Sequence, residues 1–201
     1  MEKISRILVD LDEVLADFIG GACREYGVSR YDVEGYWEPG RWDMVPPLAK
    51  ALRSKGRPGP TTDNEFFARI DGREEFWATL QPMPWMPDLW ELLKAFSSDV
   101  HVVTSPTHCE SSYHGKVKWL KKHFGRGFSN FAITPHKEIF AMPGVVLVDD
   151  RESNVTRFVG SEASGRLTGA KGIVFPTYHN SNYRHRHDPV PYVKAQLESY
   201  L

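Results

Sequence analysis

The chain has 201 residues and only two cysteines, Cys23 and Cys109, which form neither a CxxC pair nor part of a ligand-like cluster. That scarcity points away from a disulfide framework and toward a reducing compartment with buried thiols. None is needed, because a chain of this length buries roughly 70% of its unfolded surface on folding. No apolar run approaches the roughly 18 residues that cross a bilayer, and the longest, Val145 to Val148, is strand-sized. The opening MEKISRILVD reaches acidic residues before any signal-peptide core could form. Neither charge dominates: Lys+Arg 25 against Asp+Glu 26 leaves a formal charge of −1, which excludes a broad basic surface for a nucleic acid polymer. There is no internal repeat, and RHRHD at 184–188 is too short to count as low complexity. Eight histidines are scattered without an HxxxH pair or a cysteine partner, so none is assigned to a metal. What remains, at 41% hydrophobic and 25% charged residues, is a cytoplasmic globular protein of one domain, or of one core domain with a small insert.

Apolar periodicity organises that domain. Residues 4–9 (ISRILV) form a β-branched run that ends in acidic residues, a buried strand with Asp10 and Asp12 at its C-terminal end. From Val14 to Tyr26 apolar residues recur at helical spacing until Gly27 stops them. Residues 31–80 differ, being rich in aromatics and broken by GRPGPTTDN at 56–64. Beyond them helix 87–96, strand 99–104, helix 114–124, strands 130–134, 145–148 and 172–175, and helix 189–200 follow. Such alternation predicts an α/β fold, with a Rossmann-like parallel sheet and a small helical cap inserted after the first strand. The core is expected to comprise residues 1–28 and 81–201, and the cap residues 29–80.

Ligands of parallel sheets sit at the carboxyl ends of the strands. The residues there are Asp10 and Asp12, then Thr104 and Ser105, then Asp149 and Asp150. Close carboxylates repel unless something neutralises them, and hard oxygen ligands suit Mg²⁺ better than Zn²⁺. Thr104-Ser105 offers hydroxyls and a turn of N–H groups to phosphate oxygens, and Lys116 on the next helix offers a point charge. Singly, each of these motifs is more often a turn, a cap or a solvated lysine. Their order in one α/β chain favours a functional reading.

That order resembles the haloacid dehalogenase superfamily of aspartate-nucleophile phosphohydrolases. Within it, ILVDLDEVLADF at 7–18, FWATLQPMPWMPDLWELLK at 76–94, VVTSP at 102–106, GKVKWLKKHFG at 115–125, LVDDR at 147–151 and FPTYHN at 175–180 resemble the 5′(3′)-deoxyribonucleotidases. The resemblance implies Asp10 as nucleophile and Asp12 as general acid and then base. It implies Mg²⁺ held by Asp10, the Asp12 carbonyl and Asp150, with Asp149 acting through water. Thr104, Ser105 and Lys116 would bind phosphoryl oxygens, Lys118 being the competitor for the lysine role, and Arg151 would assist at the phosphate or sugar. Phe18 would line a nucleotide pocket, with Trp42, Phe66, Phe67 and Trp77 as candidates for stacking on a base. His179 and Asn180 are expected to order a loop rather than do chemistry.

Glu13 stands where the family usually has Gly, and is expected either to alter the turn or to face solvent at the helix start. The implied substrate is a small-molecule nucleotide, a (deoxy)nucleoside monophosphate, and a homodimer is suggested that no residue pattern shows. A sugar-phosphate phosphatase, a non-catalytic nucleotide-binding relative and transfer to an acceptor other than water are the alternatives.

Overall fold

Arg6–Val9 form β1, the middle strand of the sheet, in a computed structural model that describes residues 4–161 and 166–201. Residues 1–3 and 162–165 of the expected core segments lie outside that description. On one side Ile7 pairs with Val100 of β2 (Val100–Thr104), and β3 (Phe131–Ile133) pairs in turn with β2. On the other side Arg6 pairs with Val145 of β4 (Val145–Asp149). Outside β4, a short antiparallel pair of β5 (Gly160–Ser161) and β6 (Arg166–Leu167) precedes β7 (Lys171–Val174), which completes a sheet of order β3-β2-β1-β4-β7. All four pairings in that sheet are parallel, so both faces must be covered and its central strands are mostly apolar. Every residue of β4 is buried accordingly, and the α/β parallel-sheet expectation stands.

Helices α1 (Phe18–Glu25), α6 (Met86–Phe96), α7 (Glu110–Phe124), α8 (Glu152–Val159) and α9 (Pro189–Glu198) belong to the sheet-bearing part of the chain. Four short helices lie between α1 and α6: α2 (Arg30–Glu34), α3 (Val45–Ser54), α4 (Asp63–Phe67) and α5 (Glu74–Ala78). The GRPGPTTDN break falls between α3 and α4. Helix α5 packs hard against α7 because residue 115 is glycine. A Cβ there would lie 2.4 Å from the Trp77 Cβ and 2.5 Å from the Glu74 carbonyl oxygen.

Two helix starts and one whole helix differ from expectation. The first helix starts at Phe18 rather than Val14, because Glu13 turns the chain at φ +60° and Asp17 caps the helix by accepting from Gly20 N at 2.9 Å. Such a cap is worth about 1 kcal/mol. Helix α7 begins at Glu110, four residues before the apolar pattern shows it. Helix α8 was not foreseen, since its sequence ESNVTRFV buries only Asn154, Val155 and Phe158. Of the two thiols, Cys23 is buried, with its pKa pushed up to about 12 chiefly by that burial, whereas Cys109 is only half-buried. Among the described residues no helix is long and apolar enough to cross a membrane.

Candidate active site

The parallel sheet delivers β1, β2 and β4 to one edge, where Asp10 follows Val9, Thr104 ends β2 and Asp149 ends β4. One carboxylate oxygen each from Asp10, Asp149 and Asp150 lies within 4.8 Å of the others, and all three residues are buried. Burial pushes the pKa of Asp150 well above the usual carboxylate range, and the charges of Asp149 and Asp10 push it further. Asp149 is also raised by burial, against the pull of Lys137.

Lys137 was missed by the sequence reading. Its ammonium sits 2.7 Å from Asp10 Oδ1 and 2.5 Å from Asp149 Oδ2, in a residue only 2% exposed. Burial alone would depress a lysine, but the Asp10 and Asp149 carboxylates hold this one above its ordinary range. The available signal was its place just after β3, at the same sheet edge as the acidic pairs. Asp149 is fully engaged, since it also accepts from Asn154 Nδ2 at 3.0 and 3.1 Å and from Arg151 N at 2.9 Å. His179 Nε2 and Asp150 Oδ2 share a hydrogen bond of 2.6 Å, and burial pushes that imidazole down to about 4. Asn180 Nδ2 donates to the Asp150 carbonyl at 2.9 Å and to the Phe175 carbonyl at 2.8 Å. His179 and Asn180 therefore order the loop after β7, as expected, and also hold Asp150.

Lys116 pairs with the other half of the first motif. Its Nζ donates to Asp12 Oδ2 at 2.6 Å, Thr104 Oγ1 at 2.9 Å and the Ser105 carbonyl at 2.6 Å. Burial raises the Asp12 pKa against that pull. Lys118, the competitor, is exposed and ion-paired with Glu74. Thr104 is fully buried, its hydroxyl accepts from Lys116, and it is not among the residues lining the cavity described below. The solvent-facing alternative for Glu13 is overturned. The residue is completely buried, its carboxylate accepts from Arg30 and Ile19 N, and burial pushes its pKa up to about 7. Holding a non-glycine residue at positive φ costs about 1 kcal/mol.

A cavity of about 130 Å³ opens on this machinery, lined by Asp10, Asp12, Ser105, Lys116, Asp150 and Arg151 on its polar side. Its aromatic side is Phe18, Trp42, Phe67 and Trp77, four of the five aromatic residues named from the sequence. Phe18 and Trp77 stack at 5.5 Å, and Lys116 Nζ lies 5.1 Å from the Trp77 ring. Arg151 lies 4.6 Å over Trp42, whose edge also meets His179 at 4.3 Å. Phe66 instead packs against Tyr26 and Phe67, and reaches only a second cavity of about 430 Å³. That second cavity shares Phe18, Trp42, Phe67 and Arg151 with the first.

The residues present fit a divalent cation. Asp10, Asp149 and Asp150 bring buried carboxylate oxygens within 4.8 Å of one another, with the Lys137 ammonium set against two of these residues. Asp12 Oδ1 is buried without a hydrogen-bond partner among the described residues.

Comparison with known proteins places this arrangement among relatives. The profile of the family described as "5′ nucleotidase, deoxy (Pyrimidine), cytosolic type C protein" matches residues 3–190. The mitochondrial 5′(3′)-deoxyribonucleotidases of Mus musculus and Homo sapiens are each 28% identical over 160 residues, which cover 73% of this chain. The match spans 64% and 62% of those two relatives' lengths. A solved structure from Lactobacillus delbrueckii subsp. bulgaricus, assigned as a phosphoglycolate phosphatase, superposes with a TM-score of 0.52 over 98% of this chain and 99% of its own. At 11% identity that likeness bears on the fold alone.

Proposed function

The chain belongs to the cytosolic type C deoxy-5′-nucleotidase family, and from that premise we propose that it is a Mg²⁺-dependent phosphohydrolase of (deoxy)nucleoside monophosphates, working through an aspartyl-phosphate. The observation that carries the reading is the single cavity in which Asp10, Asp12, Ser105 and Lys116 face Phe18, Trp42, Phe67 and Trp77. A phosphate needs the first group of residues and a nucleobase suits the second. The segment between α1 and α6, which carries Trp42 on the loop before α3, Phe67 on α4 and Trp77 on α5, serves in this reading as the cap that selects the substrate.

In the first step an Asp10 oxygen attacks phosphorus, and the bond from phosphorus to the nucleoside oxygen breaks. Asp12, kept protonatable by its burial, gives its proton to the departing oxygen. In the second step Asp12 takes a proton from water, which attacks the aspartyl-phosphate and frees inorganic phosphate and Asp10. Lys116 and the Ser105 loop hold the phosphoryl oxygens as charge shifts among them. Lys137, 2.7 Å from Asp10 Oδ1, aims the nucleophile, and Arg151 assists at the phosphate or the sugar. Mg²⁺, when bound by Asp10 and Asp150 with Asp149 behind them, supplies charge neutralisation that lets an anionic nucleophile approach an anionic phosphate.

Phosphate release from deoxy- and ribonucleoside 5′- and 3′-monophosphates and several sugar phosphates tests the reading. Turnover concentrated on nucleotides and lost in excess EDTA is expected. Activity on sugar phosphates alone would discard the nucleotidase assignment, and full turnover in EDTA would discard the metal. Lys116 and Lys118, both on α7, are expected to separate sharply. Lys116→Ala should lower kcat/KM at least about 10²-fold, the scale for losing one oxyanion donor, while Lys118→Ala should leave it within about twofold. Equal effects at the two positions would remove Lys116 from the phosphate site.

A further inference from the structure

Glu13 directly follows Asp12, yet it faces away from the substrate cavity. Its backbone stands at φ +60° and its side chain is completely buried. Its carboxylate accepts from Ile19 N at 2.7 Å and from an Arg30 terminal nitrogen at 2.9 Å. Arg30, the first residue of α2, also donates to Asp17 Oδ1 at 2.6 Å and Glu34 Oε1 at 2.8 Å. Asp17 caps α1 and is tied by its own N–H to the Gln81 carbonyl at 2.8 Å. Neither Glu13 nor Arg30 lines the cavity that holds Asp10 and Asp12 or the larger one beside it, and Arg30 borders a separate hollow of about 560 Å³.

From this geometry we infer that the Glu13–Arg30 ion pair is a positioning device for Asp12, anchoring the turn that carries the proton donor to the first helix of the insert. The inference deepens the proposed function and rests on it. Glycine would adopt the positive φ without strain, so the turn itself does not require glutamate. What glutamate adds is a buried tether, three-way braced through Arg30, at the residue next to the donor. A displaced donor slows only the events in which its proton moves. Up to release of the nucleoside, the stretch that kcat/KM reads, that event is transfer of the Asp12 proton to the nucleoside oxygen as the P–O bond breaks, with the electron pair departing on that oxygen.

The test compares one nucleoside 5′-monophosphate with the same nucleotide carrying sulfur as its bridging atom, since a thiolate leaves without needing a proton. For Glu13→Gly, kcat/KM on the oxygen substrate is expected to fall roughly 10- to 100-fold, with KM little changed. On the sulfur substrate the loss should stay under about threefold, because phosphoenzyme formation no longer draws on Asp12. Arg30→Lys, which keeps a cation but cannot brace three carboxylates, should give a smaller loss with the same selectivity. It stands in if Glu13→Gly melts below the assay temperature. Equal losses on both substrates from folded protein would make the pair merely structural, and unchanged kinetics would remove it altogether; either result overturns the inference while leaving the functional reading intact. A native protein inactive on every nucleotide would instead sink that reading, and the inference with it.

Discussion

Purified Asp10→Asn protein is expected to fold with at least native thermal stability and to release phosphate from nucleotides at least about 10⁴-fold more slowly, the scale on which removal of a covalent nucleophile acts. The two halves of that expectation have one physical source. Asp10 is one of three buried residues whose carboxylate oxygens lie within 4.8 Å of each other, so neutralising it relieves repulsion in the resting protein. An asparagine carbonyl can still accept from Lys137, which keeps that buried ammonium partnered. The amide cannot attack phosphorus, however, so relief of repulsion comes with loss of chemistry. Phosphate release and a melting curve on the same preparation check both halves. Residual turnover within about 10²-fold of native would move the nucleophile role elsewhere.

Lys137→Met is expected to do the reverse to stability and to damage activity as well. Its ammonium bridges Asp10 and Asp149, both essentially out of solvent. Breaking a buried ion pair from one side typically costs about 3–5 kcal/mol, because the remaining charge is left uncompensated. In a chain of this size that corresponds to a fall in melting temperature of roughly 10 °C in metal-free buffer. A divalent cation should restore more of that loss in the variant than it adds to the native protein, since it would meet a larger uncompensated charge. Turnover should fall about 10²- to 10³-fold, as when one preorganised charge partner is removed from a reacting site. Melting curves with and without Mg²⁺, beside initial rates, measure both. A variant with native melting and native rate would leave Lys137 without the part given to it.

The contrast between Asp10 and Lys137 shows what could be read from the sequence. Acidic pairs after β-branched runs announce themselves, because strand and carboxylate are contiguous, and a parallel sheet has only one edge to which it can bring them. Ser105 and Lys116 were legible for the same reason. Lys137 was not: it follows a three-residue strand whose burial is only intermediate, and nothing local distinguishes it from a solvated lysine. His179 was read as ordering its loop, but its contact with Asp150 depends on how β7 lies beside β4, which no local pattern reports. Glu13 was recognised as a departure, yet its burial depends on Arg30 arriving from α2, a partner invisible to periodicity. The aromatics fared between these cases. That Phe18 of α1, Trp42 of the loop before α3, Phe67 of α4 and Trp77 of α5 share one cavity while Phe66 stands back follows from tertiary packing, and composition alone cannot rank them.

The sheet order also governs when the molecule can become itself. β1 is the strand nearest the start of the chain, yet it pairs with Val100 on one side and Val145 on the other. A nascent chain emerging at about 5–20 residues per second therefore carries Ile7, Leu8 and Val9 unpaired for several seconds before their second neighbour exists. Closing such distant contacts is the slow part of folding a parallel sheet. No partly synthesised chain short of β4 can hold Asp10 beside Asp149, so the acidic centre assembles only when the sheet does. Catalytic competence and global folding are thus expected to arrive together, with no active fragment along the way.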